Sequence, residues 1–302
     1  MPSLMDPVTT TAATMQGAGP MTRIQRRWPA VTALLALLSL FAAPASAQLM
    51  VHPTRIVLEQ NQRSAQMEII NNSDEAATYL ITLVNRRMDE HGGFSEVDEP
   101  AAGELFADPM LRYSPRRVRL APGAGQVIRI MARKPAGLAP DEYRSHLLFA
   151  QQPDPIGTRD AGTTDAGQTE EIGVALTALI GVSIPVIVRH GETAAEVSLT
   201  DLALQGAVAG QPPMLSLDMQ RSGNQSVYGD LTVSFAPTGG AAQVVGRAGG
   251  VAVYTPNAVR QVKLLLDPPD GLVLADGVLT VRYREKPEQG GALLAEASLR
   301  LP

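Results

Sequence analysis

A serine in an apolar stretch is the first candidate for chemistry in this 302-residue chain. Residues 181–185 read Gly-Val-Ser-Ile-Pro, which departs from the Gly-x-Ser-x-Gly nucleophile elbow because Pro185 stands where the second glycine belongs. The elbow also needs a turn from a strand into a helix, whereas the alternation of residues 175–190 predicts one extended strand. We therefore expect no catalytic serine here and no enzyme.

Metal and phosphate chemistry also lack a sequence pattern. The histidines are His52, His91, His146 and His190. They stand apart without His-x-x-x-His spacing, and the sequence has no cysteine to complete a ligand set. The sequence contains no Walker-type phosphate loop, and no basic block marks a nucleic-acid footprint. We predict no metal site, no cofactor and no nucleic-acid partner.

The first 47 residues have the features of an export signal. Three arginines precede an almost wholly apolar run over residues 30–43, and Pro44 and then Ala-Ser-Ala at 45–47 follow it. The run is shorter than the roughly 20 residues of a membrane-spanning helix, and the small-x-small triplet is typical of a cleavage site. We expect residues 1–47 to be an upstream extension plus a signal peptide cleaved after Ala47. A retained N-terminal anchor is the alternative.

Short alternating segments separated by turn residues fill the rest of the chain. They lie at 50–58, 65–70, 78–85, 117–120, 126–132, 143–150 and 175–190, then at 196–204, 214–220, 231–235, 251–254, 259–266, 278–283 and 293–301. Seven such segments in each half predict an all-β fold of two β-sandwich domains. We predict domains at 48–190 and 191–302, and a mobile loop at 153–171.

The most apolar of these segments, residues 175–190, raises the question of what covers it. No charged residue occurs between 172 and 188, and Pro185 lies inside the segment. Proline has no N–H and is tolerated in a sheet mainly on an edge strand or at a bulge. The segment therefore predicts a strand with one side lacking a permanent neighbour. A strand buried in its own sandwich is the alternative.

Several pieces of the first half resemble a known family in the correct order. They are "VHPTRIVLE" (51–59), "INNSDEAATYL" (70–80), "YSPRRVRLAPGAGQVIRI" (113–130), "PDEYRSHLLF" (140–149) and the alternating strand ending in "VIVRHG" (186–191). They resemble periplasmic chaperones of the chaperone–usher pilus pathway. The resemblance covers about residues 50–190, and the second half is only loosely similar.

This resemblance implies two immunoglobulin-like sandwich domains in an L-shaped arrangement. It also implies a periplasmic chaperone that donates a β-strand to incomplete pilin-like or coat-like subunits and delivers them to an outer-membrane usher. The residues that would enter the subunit's groove are Ile180, Val182, Ile184, Val186 and Val188. An open apolar edge of this kind also favours self-association of free copies, which would mask the strand.

The same resemblance implies that two basic residues in the cleft hold the subunit's terminal carboxylate. Arg55 in "TRIVL" matches the first of them, and a guanidinium suits a carboxylate. The second, a lysine, is missing, because Pro185 falls at its position. Arg55 acting alone, Arg189 as a substitute, a residue from elsewhere, or a shifted register are the alternatives.

Two further interpretations stay open at this point. Arg129 and Glu142 either form an internal ion pair or are separate solvated charges. The competing function is a secreted two-domain adhesin or structural protein in which the long strand pairs internally.

Overall fold

Period-two alternation of apolar and polar side chains shapes most elements of the protein. The computed structural model describes residues 49–153, 181–206 and 212–302. Residues 64–71, for example, bury Met67 and Ile69 on one face and expose Gln66 and Glu68 on the other. Strands and two short 3-10 turns make up the regular structure of the described residues, with no α-helix among them, so the all-β prediction is confirmed there. No helix in these ranges is long and apolar enough to cross a membrane.

The first sandwich is formed by two sheets that share one hydrophobic core. Its strands are β1 (Leu49–His52), β2 (Ile56–Leu58), β3 (Ser64–Asn71), β4 (Ala77–Val84), β5 (Arg86–Met88), β6 (Phe94–Glu96), β7 (Leu111–Ser114), β8 (Arg117–Leu120), β9 (Gly125–Ala132), β10 (Asp141–Gln152) and β11 (Gly181–His190). One sheet has the order β1-β3-β9-β7 and the other β2-β11-β10-β4-β8, while β5 and β6 form a separate hairpin. Ile69 and Ile128 from the first sheet and Tyr79 and Phe149 from the second meet in the core.

A second sandwich follows with its own core. Its strands are β12 (Ala195–Gln205), β13 (Met214–Gly223), β14 (Val227–Pro237), β15 (Gln243–Val253), β16 (Val259–Leu265), β17 (Gly277–Glu285) and β18 (Leu293–Leu301). The sheets have the orders β12-β13-β16 and β15-β14-β17-β18. Leu215 and Leu217 from one sheet pack with Phe235 and Val281 from the other. The prediction of two sandwiches is therefore confirmed.

The predicted segment 50–58 is not one strand. Pro53 interrupts it, so β1 pairs with β3 in one sheet and β2 pairs with β11 in the other. The hairpin β5–β6 and strand β7 were not predicted, and their three or four residues give only a short alternation signal.

Residues 191–194 connect the two sandwiches, and residues 49–302 belong to one compact unit. Gly191 has φ +67°, and a Cβ there would lie 2.5 Å from Cβ of Pro140, so the link needs glycine. The domain boundary after residue 190 and the L-shaped arrangement remain predictions. The predicted signal peptide and, apart from Pro153, the predicted mobile loop lie outside the described residues.

Candidate functional site

Strand β11 has one edge that is only partly covered. It pairs antiparallel with β10 along its whole length. On the opposite edge β2 pairs in parallel with Val186–Val188 alone. Over Gly181–Pro185 that edge has no strand partner in the part of the chain that the structure describes. The open side predicted from Pro185 stays a prediction for these five residues and is wrong for the next three, because β2 covers them.

The five side chains predicted to enter a partner's groove do not share one environment. Ile184, Val186 and Val188 are 3%, 0% and 0% exposed and belong to the core of the first sandwich. Val182 is half-buried and packs against the margin of that core. Ile180 lies outside the described residues. In this structure, three members of the row fill the protein's own core, and Val182 is the described member that is partly exposed.

Arg55 lies just before β2, between the two sandwiches. Its Nη1 donates to Tyr254 Oη at 2.9 Å and its Nη2 donates to Ser226 Oγ at 2.8 Å. The guanidinium carbon lies 4.9 Å from the ring centroid of Tyr228 and 5.1 Å from that of Tyr254. Nε has no hydrogen-bond partner among the described residues. Arg55 lines a cleft of about 370 Å³ together with Ser226 and Tyr228, and its role as an anchor stays a prediction.

Arg189 holds a polar network across the two sandwiches. Its Nε donates to Glu142 Oε2 at 3.1 Å, and its Nη1 donates to Glu59 Oε1 at 2.8 Å. Glu142 Oε2 also accepts from the backbone N–H and the hydroxyl of Ser226, at 3.1 and 2.9 Å. The Glu142 side chain is completely buried, and Arg129 is exposed. Glu142 thus pairs with Arg189 and not with Arg129, and Arg189 is committed to this network.

Three polar residues on β10 form a buried row that was not predicted from the sequence, although Glu142 was considered as a member of an ion pair. Glu142, Arg144 and His146 are 1%, 7% and 3% exposed and alternate with side chains that enter the core. The guanidinium carbon of Arg144 lies 4.2 Å from the ring centroid of Tyr254. The pattern Glu-x-Arg-x-His directly before the apolar residues 147–149 was the available signal. It means that the second face of β10 is buried as well.

His146 is surrounded by cations. Burial, followed by the positive charges of Arg144, Arg86 and Arg55, lowers its pKa to about 3. Its ring also makes an edge contact with Phe94, with centroids 5.6 Å apart. The imidazole is therefore neutral at pH 7 and adds no charge to this row.

Acidification is expected to destabilise the protein partly through His146. The unfolded chain takes up this proton near pH 6.5 and the folded chain only near 3, so stability falls as the pH drops through that interval. Between pH 7 and 5, wild type should lose about 2 kcal/mol more than His146→Gln. Urea unfolding at both pH values measures the difference. The exposed His52→Gln should follow wild type, and parallel losses in wild type and His146→Gln would contradict the assignment.

The hairpin β5–β6 also joins the two sandwiches. Asn257 Nδ2 donates to the carbonyl of Met88 at 2.9 Å, and the N–H of Gln261 donates to the carbonyl of Glu90 at 2.7 Å. Met88 and Ile187 pack with Ala252 and Tyr254 in a small apolar cluster. Residues of the first sandwich therefore pack against Tyr254, whose ring both Arg55 and Arg144 also contact.

Within the described residues, the candidates for catalysis and metal binding are not brought together in a site. Ser183 lies within β11, and its Oγ has no hydrogen-bond partner among the described residues, so no base activates it there. Nor does that part of the chain bring three or more His, Asp or Glu side chains together as a metal site would require.

Comparison with known proteins returns similar solved structures. No sequence model of a protein family and no curated protein matches the chain. The YadV chaperone is similar over 84% of this chain and 100% of its own, with 12% identity and a TM-score of 0.43. The class 5 fimbriae chaperone CfaA is similar over 84% of this chain and 99% of its own, with 17% identity and a TM-score of 0.39. The Pseudomonas aeruginosa CupB2 chaperone is similar over 84% of this chain and 100% of its own, with 15% identity and a TM-score of 0.40. Similarity this weak assigns neither family nor function.

Proposed function

We propose that this protein is a periplasmic chaperone that completes the sheet of an unfinished secreted subunit through the open edge of β11. Cleavage after Ala47, pilin-like or coat-like subunits and delivery to an outer-membrane usher belong to the same proposal. The observation that carries it is the edge over Gly181–Pro185, which has no strand partner in the described ranges and ends next to Arg55. Exposed edges of apolar strands are normally protected, so an unprotected one favours a binding role.

Backbone pairing along this edge accounts for the stabilisation of a subunit. Each hydrogen bond formed on strand addition contributes about 0.5–1.5 kcal/mol net. Each aliphatic side chain that enters an apolar groove contributes roughly 1.5–3 kcal/mol before ordering costs. Because Ile184, Val186 and Val188 already fill the protein's own core, we restrict side-chain donation to Val182 and Ile180.

Arg55 supplies the polar end of the same interaction. Its guanidinium is held in place by Tyr254 and Ser226, and the side chain lines the cleft between the sandwiches. A carboxylate accepts hydrogen bonds from a guanidinium strongly and with defined geometry. We therefore assign Arg55 to the terminal carboxylate of the bound subunit.

Co-expression in the periplasm with a candidate subunit that lacks one strand tests the proposal. Wild type should give a soluble one-to-one complex on size exclusion. Val182→Asp should weaken it at least tenfold, about 1.4 kcal/mol, since the new carboxylate would enter an apolar groove unpaired.

Val127→Asp is the matched control, because Val127 is a 41% exposed strand valine on the other sheet. It should bind like wild type. An undiminished complex with Val182→Asp, or no complex with wild type, would refute strand donation and leave the secreted adhesin or structural protein as the reading.

A further inference from the structure

A cavity of about 1110 Å³ lies at the end of the first sandwich, next to the link between the domains. It shares no lining residue with the cleft that Arg55 lines. The ionisable side chains around it are Arg63, Arg112, Arg133, Lys134, His190 and Glu192. Four cationic side chains therefore face one carboxylate, in a chain whose formal net charge is −5. The cavity is a basic site on an acidic protein.

Strand pairing brings the three arginines together. β9 lies between β3 and β7 in its sheet and is antiparallel to both, so its end adjoins their starts. Arg112 at the start of β7 is the partner of Met131 near the end of β9. The N–H of Ala132 donates to the carbonyl of Arg63, directly before β3, at 2.9 Å. With Arg133 directly after β9, three neighbouring strand ends each supply one arginine.

Lys134 is held at the same place by backbone acceptors. Its Nζ donates to the carbonyls of Gln60 and Arg189, at 2.6 and 2.7 Å. An ammonium group has three donors, so one remains for a further acceptor. Burial, followed by the charge of Arg63, lowers the pKa of Lys134. The fourth cation is thus fixed in position and lies close enough to Arg63 for their charges to repel.

No carboxylate pairs with these four cations within the described residues. The salt bridges found there involve other basic side chains. Arg112 donates to the carbonyls of Pro109 and Leu111 instead. Glu192 is exposed and lies beyond salt-bridge distance of all four. Single exposed arginines need no partner, but four unpaired cations around one cavity leave a concentrated positive field.

The size and lining of the cavity indicate which anions fit. Ligand cavities of roughly 300–1,000 Å³ hold small organic molecules rather than single ions. Met131, which is 57% exposed, and Pro135 add apolar surface to the lining. Guanidinium groups bind phosphate and carboxylate oxygens by paired, charge-assisted hydrogen bonds. Several cations favour an anion of more than one charge, and a phosphate monoester carries about −1.5 to −2.

We propose that this cavity binds a phosphate-bearing anion through Arg63, Arg112, Arg133 and Lys134. The site is independent of the proposed function, because no residue of the open edge of β11 lines the cavity. A free phosphorylated molecule and the headgroup of an anionic phospholipid offer the same chemistry to these cations. The experiments below distinguish the two sources.

Pyrophosphate is the probe for a free anion. Calorimetric titration of the full chain should show saturable binding that weakens as the ionic strength rises from about 0.01 to about 0.1 M. Over this range the Debye length shortens from about 30 to about 10 Å. In ¹⁵N-labelled protein, the backbone N–H resonances of Arg63, Ala132 and Arg133 should shift. Shifts confined to Arg55 and Tyr254 would overturn the inference, because they would place the anion in the other cleft.

Removing two of the arginines tests whether the cavity holds the probe. Arg63→Gln combined with Arg112→Gln should weaken pyrophosphate binding at least about tenfold, because two charge-assisted contacts are lost. Both side chains are exposed, so the variant should fold, which circular dichroism checks. Arg119→Gln combined with Arg300→Gln is the matched control, since it removes the same charge from exposed strand positions outside the cavity. Equal weakening in the two double variants would show that net charge alone acts and would overturn the site.

Glu192 allows a test with the opposite sign. Glu192→Gln removes the carboxylate that lines the cavity and should strengthen pyrophosphate binding by about threefold, because it abolishes repulsion of the anion. The exposed Glu288→Gln changes the net charge equally on the second sandwich and should bind like wild type. Unchanged or weaker binding by Glu192→Gln contradicts the assignment to this cavity.

Vesicles identify the source of the phosphate. Cosedimentation with phosphatidylglycerol vesicles, but not with phosphatidylcholine vesicles, supports a lipid headgroup if Arg63→Gln with Arg112→Gln abolishes it. Pyrophosphate binding without cosedimentation supports a free anion. Binding of neither pyrophosphate nor phosphatidylglycerol refutes the inference, and each of these outcomes leaves strand donation by β11 to its own test.

Discussion

Glu142→Ala is expected to lower the free energy of unfolding by about 3–5 kcal/mol. The substitution leaves Arg189, which is 14% exposed, without its buried partner and removes the acceptor of the N–H and hydroxyl of Ser226. Arg189 then retains only the exposed carboxylate of Glu59 among the salt-bridge partners described above, and the two donors of Ser226 lack their acceptor. Urea unfolding followed by circular dichroism measures the loss.

Two further variants test whether the ion pair causes this loss. Glu296→Ala breaks the pair with Arg282, whose side chains are 39% and 45% exposed, and should cost no more than about 1 kcal/mol. In Glu142→Ala combined with Arg189→Met, the losses should be strongly non-additive, because the second change removes the stranded charge. Similar losses for Glu142→Ala and Glu296→Ala would contradict the importance of burial.

Val186→Asp is expected to prevent folding of the first sandwich, with a loss above about 4 kcal/mol. Val186 is 0% exposed in the core shared by both sheets, where an aspartate has no cation to pair with. Val182→Asp changes the same residue type on the same strand at a half-buried position and should fold. The amount of soluble protein and its far-ultraviolet spectrum distinguish the two variants.

Comparing Val186→Asp with Val182→Asp tests where β11 stops contributing side chains to the protein's own core and where, on the proposed function, it begins to contribute them to a bound subunit. A soluble, folded Val186→Asp that no longer bound a subunit would show that the inner row is donated after all. Loss of folding in Val182→Asp would place that residue in the core and shorten the donor segment further.

Strand alternation made much of the fold predictable. Residues 126–132 and 278–283 were predicted as strands and lie within β9 and β17, in which buried and more exposed side chains alternate. Pro185 could suggest an open edge because a missing N–H is a local property that the sequence displays directly. The extent of the edge was not predictable, since the pairing of β2 with Val186–Val188 joins residues that lie more than a hundred positions apart in the sequence.

The candidate site was predictable only in part for a similar reason. Arg55 was found by resemblance, but Glu142 and Arg189 meet across 47 positions and Glu142 and Ser226 across 84. Such contacts follow from sheet register and the packing of two sandwiches. The sequence could not show which apolar side chains of β11 enter the protein's own core and which would enter a partner's groove, because both environments favour the same alternation.

The start of β2 has a consequence for any guest chain that joins the open edge. Ile56 already fills the pairing position beside Val186, so a guest aligned with Gly181–Pro185 has to end there. If the guest runs in the direction of β2, the end that arrives at Arg55 is its carboxyl end. If it runs the opposite way, an ammonium group would face the guanidinium and be repelled. The position of β2 therefore favours one chain direction for a guest strand and fixes where that strand ends, independently of the guest's side chains.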